Sequence, residues 1–268
     1  MNQTSSKIQQ EAILVVSFGT SYEETCQKTI GAIEDAIRSA FPDKPLYRAW
    51  TSKRIIKKLK ITKNIHVDTV SEALHRMLND GITNIIVQPT HVINGIETNL
   101  LMEDIQKHGS QFQSINLGTP LLTSMDDCNA VADILSNFAE KNDDDHLYVL
   151  MGHGTEHHAD KIYQTINDLL IQKGRSDIVI GTVEGKFQIS DVVDYASTQN
   201  TRNATLLPFM IVAGDHANND MAGDDDDSWK NILAQNDISS SVILKGLGEY
   251  PEIRELFIDH CRNAKEFI

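Results

Sequence analysis

Two stretches decide the fold: Ala12-Ile13-Leu14-Val15-Val16-Ser17-Phe18-Gly19-Thr20 and, 135 residues further along, Leu147-Tyr148-Val149-Leu150-Met151-Gly152-His153-Gly154-Thr155. Each is an almost unbroken apolar run, then x-Gly-Thr, then a helical pattern. A strand without polar alternation is covered on both faces, which is the condition of a parallel sheet flanked by helices. A second echo joins Pro89-Thr90-His91-Val92-Ile93-Asn94-Gly95 to Pro208-Phe209-Met210-Ile211-Val212-Ala213-Gly214, 119 residues apart. The chain therefore reads as a duplicated unit whose copies meet near residue 125.

Outward from these stretches, β-rich runs at Leu46 to Trp50, Asn84 to Pro89, Ser114 to Leu117, His146 to Met151, Ile178 to Val183, Ala204 to Val212 and Ser241 to Leu244 follow the first at Ala12 to Phe18. Helical patterns fill the gaps: Glu23 to Phe41, Val70 to Asp80, Asn99 to Lys107, Cys128 to Lys141, Asp160 to Lys173 and Glu252 to Phe267. Strands alternating with helices predict an α/β fold of two doubly wound parallel-sheet domains with the active site in the cleft between them. The expected domains are 1–125 and 126–268, with the last helix packing back on the first domain. Lys141 to Asp145 reads as a solvated loop inside the second copy.

Composition narrows the function. With 24 basic and 38 acidic residues in 268, the net charge of −14 repels phosphate backbones and anionic lipid, so neither nucleic acid nor membrane is an expected partner. Three cysteines without a CxxC pair, Cys26, Cys128 and Cys261, fit a reducing compartment and argue against a thiolate metal site. The polar opening MNQTSSKIQQ has no apolar core, and no run approaches the ~18 apolar residues that span a bilayer. A cytoplasmic location is expected, or a periplasmic one if a leader has been removed.

In doubly wound sheets, ligands bind beyond the carboxyl ends of the strands. Three successive strand ends of the second half deliver His153, Glu184 and His216, each flanked by glycine. Neighbouring parallel strands sit roughly 4.8 Å apart, so these side chains can converge. Two imidazoles and a carboxylate suit Co, Fe, Ni or Zn, and the lack of thiolates suits a site that releases its ion. Other chemistries lose key parts. Gly214-Asp215-His216 with Asn218-Asn219-Asp220 resembles a dinuclear phosphoesterase loop, but no Asp-x-His follows the first strand. Phe18-Gly19-Thr20-Ser21 lacks the further glycines and the lysine of a nucleotide loop, and Ser17 and Ser21 lack the G-x-S-x-G elbow.

At these same residues the sequence resembles the anaerobic sirohydrochlorin cobaltochelatases of the CbiK type, in the class II chelatase group. The likeness runs from Ser17-Phe18-Gly19-Thr20-Ser21 through Ala49-Trp50-Thr51-Ser52, Val87-Gln88-Pro89-Thr90-His91, Met151 to Thr155 and Val183-Glu184-Gly185. It continues in Val212 to Met221, Asp227-Ser228-Trp229-Lys230 and Gly246-Leu247-Gly248-Glu249.

The resemblance implies ATP-independent insertion of Co²⁺ into sirohydrochlorin in anaerobic cobalamin biosynthesis, with His153, Glu184 and His216 as metal site. His153, His216 and Glu97 would be the catalytic residues. Phe18, Thr20, Ser21, Lys53, Arg54 and His91 would face the tetrapyrrole. His91 also falls where some relatives bind haem between subunits. No permanent cofactor is implied, because the metal is a substrate, and a homo-oligomer is expected. Ferrochelatase activity on the same ring, with Fe²⁺ or Ni²⁺ as other candidate ions, and a non-catalytic haem- or metal-binding role stand as alternatives. Sirohydrochlorin's eight carboxylates fit a chain of charge −14 poorly. The one basic cluster, Lys53, Arg54, Lys57, Lys58, Lys60 and Lys63, reads mainly as a solvated helix face from which Lys53 or Arg54 serves the ring. Asp224 to Asp227 reads as a loop preceding a buried Trp229.

Overall fold

In the computed structural model, which describes residues 10–138 and 145–268, the first half runs β1 (Glu11–Ser17), α1 (Glu23–Cys26), α2 (Ala32–Ala40), β2 (Leu46–Trp50), α3 (Lys53–Lys63), α4 (Val70–Asn79), β3 (Asn84–Pro89), α5 (Ile96–His108) and β4 (Ser114–Leu117). The second half runs α6 (Met125–Phe138), β5 (His146–Gly152), α7 (Lys161–Gln172), β6 (Ile178–Thr182), α8 (Ile189–Thr198), β7 (Asn203–Pro208), α9 (Trp229–Gln235) and β8 (Ser239–Val242). It closes with α10 (Pro251–Arg262) and β9 (Lys265–Glu266).

The two sheets repeat one topology. The first has the order β2-β1-β3-β4-β9 and the second β6-β5-β7-β8, so β1 and β5 hold matching places. All pairings are parallel except that of β9, which runs antiparallel to β4. The x-Gly-Thr turns also correspond, for Gly19 and Gly154 both take positive φ, +99° and +77°. Glycine adopts that region without the Cβ clash other residues meet. At both turns a neighbour stands where a Cβ would be, Trp50 against Gly19 and the Gly185 backbone against Gly154.

Burial explains the apolar strands. β1 is buried from Ala12 to Ser17, with α4 and α5 on one face through Leu74, Met77, Leu101 and Ile105. On the other face a continuous core joins the halves, with Ile13, Val15 and Ile86 of the first sheet and Leu150, Ile180 and Leu207 of the second in one cluster with Ile33, Val131, Ile166 and Phe257 of the helices between. The outer face of the second sheet packs Val192, Leu233 and Trp229. Among the described residues no helix is long and apolar enough to cross a membrane.

Several boundaries differ from the sequence reading. The helix expected over Glu23 to Phe41 forms, with a π turn at Gln27–Gly31 inside it. The strand expected over Ala204 to Val212 stops at Pro208, beyond which Met210 and Ile211 carbonyls accept bonds from Leu247 and Gly248. The strand expected at Ser241 to Leu244 is Ser239–Val242, a polar edge strand at the end of its sheet. The helix expected to reach Phe267 ends at Arg262, and Lys265–Glu266 instead pair with Leu117 and Asn116. That pairing, with the packing of α10 on α2 and β3, ties the end of the chain to the first sheet. The solvated helix face expected over Lys53 to Lys63 forms as α3, while α8 and α9 lie in stretches where no helix was expected. Of the loop expected at Lys141 to Asp145, and of the helix expected over Cys128 to Lys141, the parts within 139–144 lie outside the described residues.

Candidate metal centre

The reversal of strand order in the second sheet falls between β5 and β7, and a crevice opens beyond the strand ends at such a point. His153 follows β5 directly, and Glu184 follows β6 two residues beyond its end. Backbone bonds carry the two strands past their formal ends, from Val183 N–H to Gly152 O at 3.0 Å and from Glu184 N–H to His153 O at 2.8 Å. His153 Nδ1 thereby lies 3.7 Å from Glu184 Oε2. His216 arrives from the β7 side at the head of a π turn, Ala217–Met221, a helix irregularity that is frequent at functional sites. Its ring stands at 88° to that of His153 with the centroids 4.7 Å apart.

Hydrogen bonds orient both imidazoles the same way. His153 Nδ1 is 3.0 Å from the Gly154 carbonyl, and His216 Nδ1 is bonded to the Asp220 carboxylate one turn along. An acceptor at Nδ1 fixes the proton there and leaves Nε2 as a bare lone pair, the arrangement by which proteins present histidine to metal ions. Neither ring is buried, with side chains 46% and 36% exposed, so an ion and a large ring have access.

The first half reaches this site through the Phe18 to Tyr22 loop. Tyr22 donates its hydroxyl to Asp215 Oδ1 at 3.2 Å, beside His216, and Asn219 Nδ2 reaches the same oxygen at 3.3 Å. Burial and the Asp215 charge raise the Tyr22 phenol above its usual range.

The remaining sequence candidates divide. Phe18 is an exposed aromatic at the strand end. Thr20 is buried, with its hydroxyl accepting from Tyr22 N–H at 3.2 Å, while Ser21 offers its carbonyl to Lys63. Glu97 occupies the first turn of α5, half-buried, without a side-chain hydrogen bond among the described residues. Lys53 and Arg54 open α3 and are exposed, and Lys53 borders a cavity of about 140 Å³ with Trp50, Thr51, Leu100 and Lys107. Lys57, Lys58, Lys60 and Lys63 are exposed along the same helix, whose one buried residue is Leu59. His91 is sealed in the first half. Among the described residues its Nε2 has no partner, its Nδ1 is 3.4 Å from Thr98 Oγ1, and burial pushes its pKa down to about 4. The Asp224 to Asp227 loop is exposed, and its carbonyls accept from Asn231 and Gln235 ahead of buried Trp229.

Among the described residues one group of three, His66, Asp68 and Glu72, has potential ligand atoms all within 4.8 Å of one another; His153, Glu184 and His216 are not drawn together that closely. The His66 group is an ion-pair cluster, because Arg76 lies 2.8 Å from Asp68 and Glu72 accepts from Thr69 in the capping box of α4. A guanidinium at that distance repels a cation.

The sequence reading held Asp215 and Asp220 only as parts of a phosphoesterase-like loop and Asp160 only as a helix start, and gave none of them a place at the site. The i, i+4 spacing of His216 and Asp220 was a usable signal once a helical turn was assumed there.

Comparison with known proteins gives this geometry a lineage. A family model described as cobalt chelatase (CbiK) matches residues 11–266. The chain belongs to the CbiK cobalt chelatase family. It is 37% identical over 254 residues to a sirohydrochlorin cobaltochelatase of Salmonella typhimurium, covering 95% of this chain and 96% of the relative. It is 28% identical over 257 residues to sirohydrochlorin cobaltochelatase CbiKC of Nitratidesulfovibrio vulgaris, covering 95% and 90%. Among solved structures, SirB from Bacillus subtilis with Fe³⁺ superposes with a TM-score of 0.66 at 14% identity, over 95% of each chain. A cobalt complex of the sirohydrochlorin chelatase SirB from Bacillus subtilis subspecies spizizenii gives 0.63, also at 14% identity, over 95% of this chain and 94% of that one. At such identity these two establish the chelatase fold.

Proposed function

We propose that this chain inserts Co²⁺ into sirohydrochlorin without ATP, with the ion held by His153, Glu184 and His216 and the macrocycle in the cleft against the first half. The observation that carries the reading is the meeting of the His153 and His216 rings, perpendicular with centroids 4.7 Å apart, each bonded through Nδ1 and so free to offer Nε2, with Glu184 on the adjoining strand end. In this reading 1–125 supplies the cleft wall and 126–268 the metal site, in a cytoplasmic homo-oligomer.

Insertion exchanges two pyrrole N–H protons for two metal–nitrogen bonds, so protons must leave as the ion sheds water. Two neutral imidazoles serve in turn as ligands and as proton acceptors, because the Nε2 lone pair that holds an ion can take a proton once the ion has moved to the ring. Glu184 lowers the net charge of the bound ion and keeps one side of it open to the ring. Asp220 stabilises the imidazolium that forms if His216 takes a proton, as a carboxylate does for any hydrogen-bonded histidine. Glu97 and Lys53, on the first half, are the groups available to pass protons outward and to meet ring carboxylates. The ion is consumed in each turnover, so moderate affinity from N and O ligands serves better than thiolates.

The test is anaerobic spectroscopy of the protein with sirohydrochlorin and, separately, Co²⁺, Fe²⁺ and Ni²⁺. Loss of free-base absorbance fastest with Co²⁺ and abolished by His153→Ala supports the reading. Ring binding without insertion above the uncatalysed rate makes the protein a carrier, and fastest insertion of Fe²⁺ makes it a ferrochelatase.

A further inference from the structure

Asp160, in the turn leading into α7, is 5% exposed. A carboxylate so removed from water needs donors. Its donors come from two different loops, Thr155 backbone N–H to Oδ1 at 3.1 Å and Lys186 backbone N–H to Oδ2 at 3.0 Å. Thr155 lies two residues after His153, and Lys186 two residues after Glu184. Among the described residues no cation pairs with Asp160, so these amides are what its charge is spent on.

The glycines show how closely the loops are drawn in. A Cβ on Gly185 would stand 2.3 Å from Asp160 Oδ1, and one on Gly154 would stand 2.3 Å from Gly185 N. Tyr163, one turn further along α7, packs its ring beneath Gly152. The loops bearing His153 and Glu184 thus close on one another around a single buried carboxylate.

We infer that Asp160 is a positioning residue that sets the separation of His153 and Glu184, and through it the affinity for the substrate ion. The inference rests on the reading that His153 and Glu184 hold that ion. A carboxylate accepts on both oxygens, which two facing N–H groups require. An asparagine in its place presents one NH₂ to one of those N–H groups, so a bridging bond is lost and one loop is released. Groups that orient metal ligands without touching the ion change metal affinity by about 10–100-fold when altered.

The experiment is an anaerobic Co²⁺ titration of metal-free protein, followed through the visible bands of bound Co²⁺, for wild type, Asp160→Asn and His153→Ala, with melting curves and insertion kinetics. Asp160→Asn is expected to fold, to bind Co²⁺ about 10–100-fold more weakly with displaced bands, and to raise the KM for Co²⁺ while the KM for sirohydrochlorin stays at the wild-type value. A purely structural role would lower the melting temperature and leave the bands and the Co²⁺ KM of the folded protein in place, which would overturn the inference. If Asp160→Asn does not fold, Asp160→Glu keeps both acceptor oxygens one methylene further out and is read by the same bands, with wild-type bands counting against the inference. Loss of Co²⁺ binding in His153→Ala keeps the underlying site reading separate. Wild-type Co²⁺ binding in that variant would remove the site, and the role of Asp160 with it.

Discussion

Gly154→Ala tests the link between backbone geometry and metal site most directly. Gly154 has φ +77°, and an added Cβ would lie 2.3 Å from Gly185 N and 2.7 Å from Thr182 Cβ. Two costs follow. Holding a residue with a Cβ in the left-handed region costs roughly 1–2 kcal/mol. Relieving the overlap requires backbone to move, because both contacted atoms belong to β6 or the turn after it, and overpacking of this kind costs about 1–3 kcal/mol. Together these give roughly 2–5 kcal/mol, or a fall of about 4–20 °C in Tm at the 2–4 °C per kcal/mol of domains this size.

Gly174→Ala is the control, since Gly174 has nearly the same φ, +75°, with nothing within 4 Å of its would-be Cβ. It should lose only the conformational component, roughly 1–2 kcal/mol, and leave Co²⁺ binding untouched. Differential scanning calorimetry of both variants isolates the crowding component, and anaerobic Co²⁺ titration reads its consequence, because only Gly154→Ala pushes the Glu184 loop away from His153. If Gly154→Ala binds Co²⁺ with wild-type affinity and bands, the close approach of these two loops does not govern the site and the reasoning fails.

Three further outcomes are expected. His91 has its pKa depressed from 6.5 to about 4 by burial, so the unfolded chain binds the extra proton first; stability is full above pH 6.5 and falls by about 3 kcal/mol as the pH drops to 4. His91→Gln should flatten that part of the urea-derived stability profile, and an unchanged slope would show that His91 is not held neutral. Tyr22→Phe removes the bond to Asp215 at the cost of about 1 kcal/mol, so kcat/KM for insertion should fall roughly fivefold with a near-native Tm; no change would detach Tyr22 from the site. Replacing the exposed Lys57 and Lys58 with alanine should leave the KM for sirohydrochlorin within about threefold, since solvated charges away from a ligand act weakly, and a collapse in ring affinity would show that the outer face of α3 holds substrate.

How far the sequence reveals the fold and the site depends on whether a feature has a local period. β1 and β5 were legible because strands buried on both faces are written as apolar runs, and the shared x-Gly-Thr turn is a conformational requirement, confirmed by positive φ at Gly19 and Gly154. The site candidates His153, Glu184 and His216 were legible because a parallel sheet presents its strand ends on one edge, so a ligand-type residue after each of three strands needs no knowledge of loop shape. What escaped is non-local. β9 is two residues long and exposed, and its pairing with β4 follows from the docking of α10 on the first half, which no window of sequence around Lys265 encodes. α3 was legible only as a solvated basic face, because its apolar side is short, Ile55 and Ile56 half-buried beside buried Leu59.

Asp160 shows the same limit at the site. In sequence it is an acidic residue at a helix start, where a carboxylate is ordinarily a solvated partner of the helix dipole. Its distinct role arises because the loops after β5 and β6 converge on it, and that convergence exists only because β5 and β6 are neighbours in the sheet. The small residues that allow it, Gly154 and Gly185, were in view as flanks of the metal-ligand candidates, and their spacing carries no hint of a carboxylate wedged between them. Candidate ligands are announced by residue type and place along the strand. The groups that set the distance between those ligands are announced only by topology, and for a protein that must hold its ion loosely enough to give it up, that distance is where affinity is tuned.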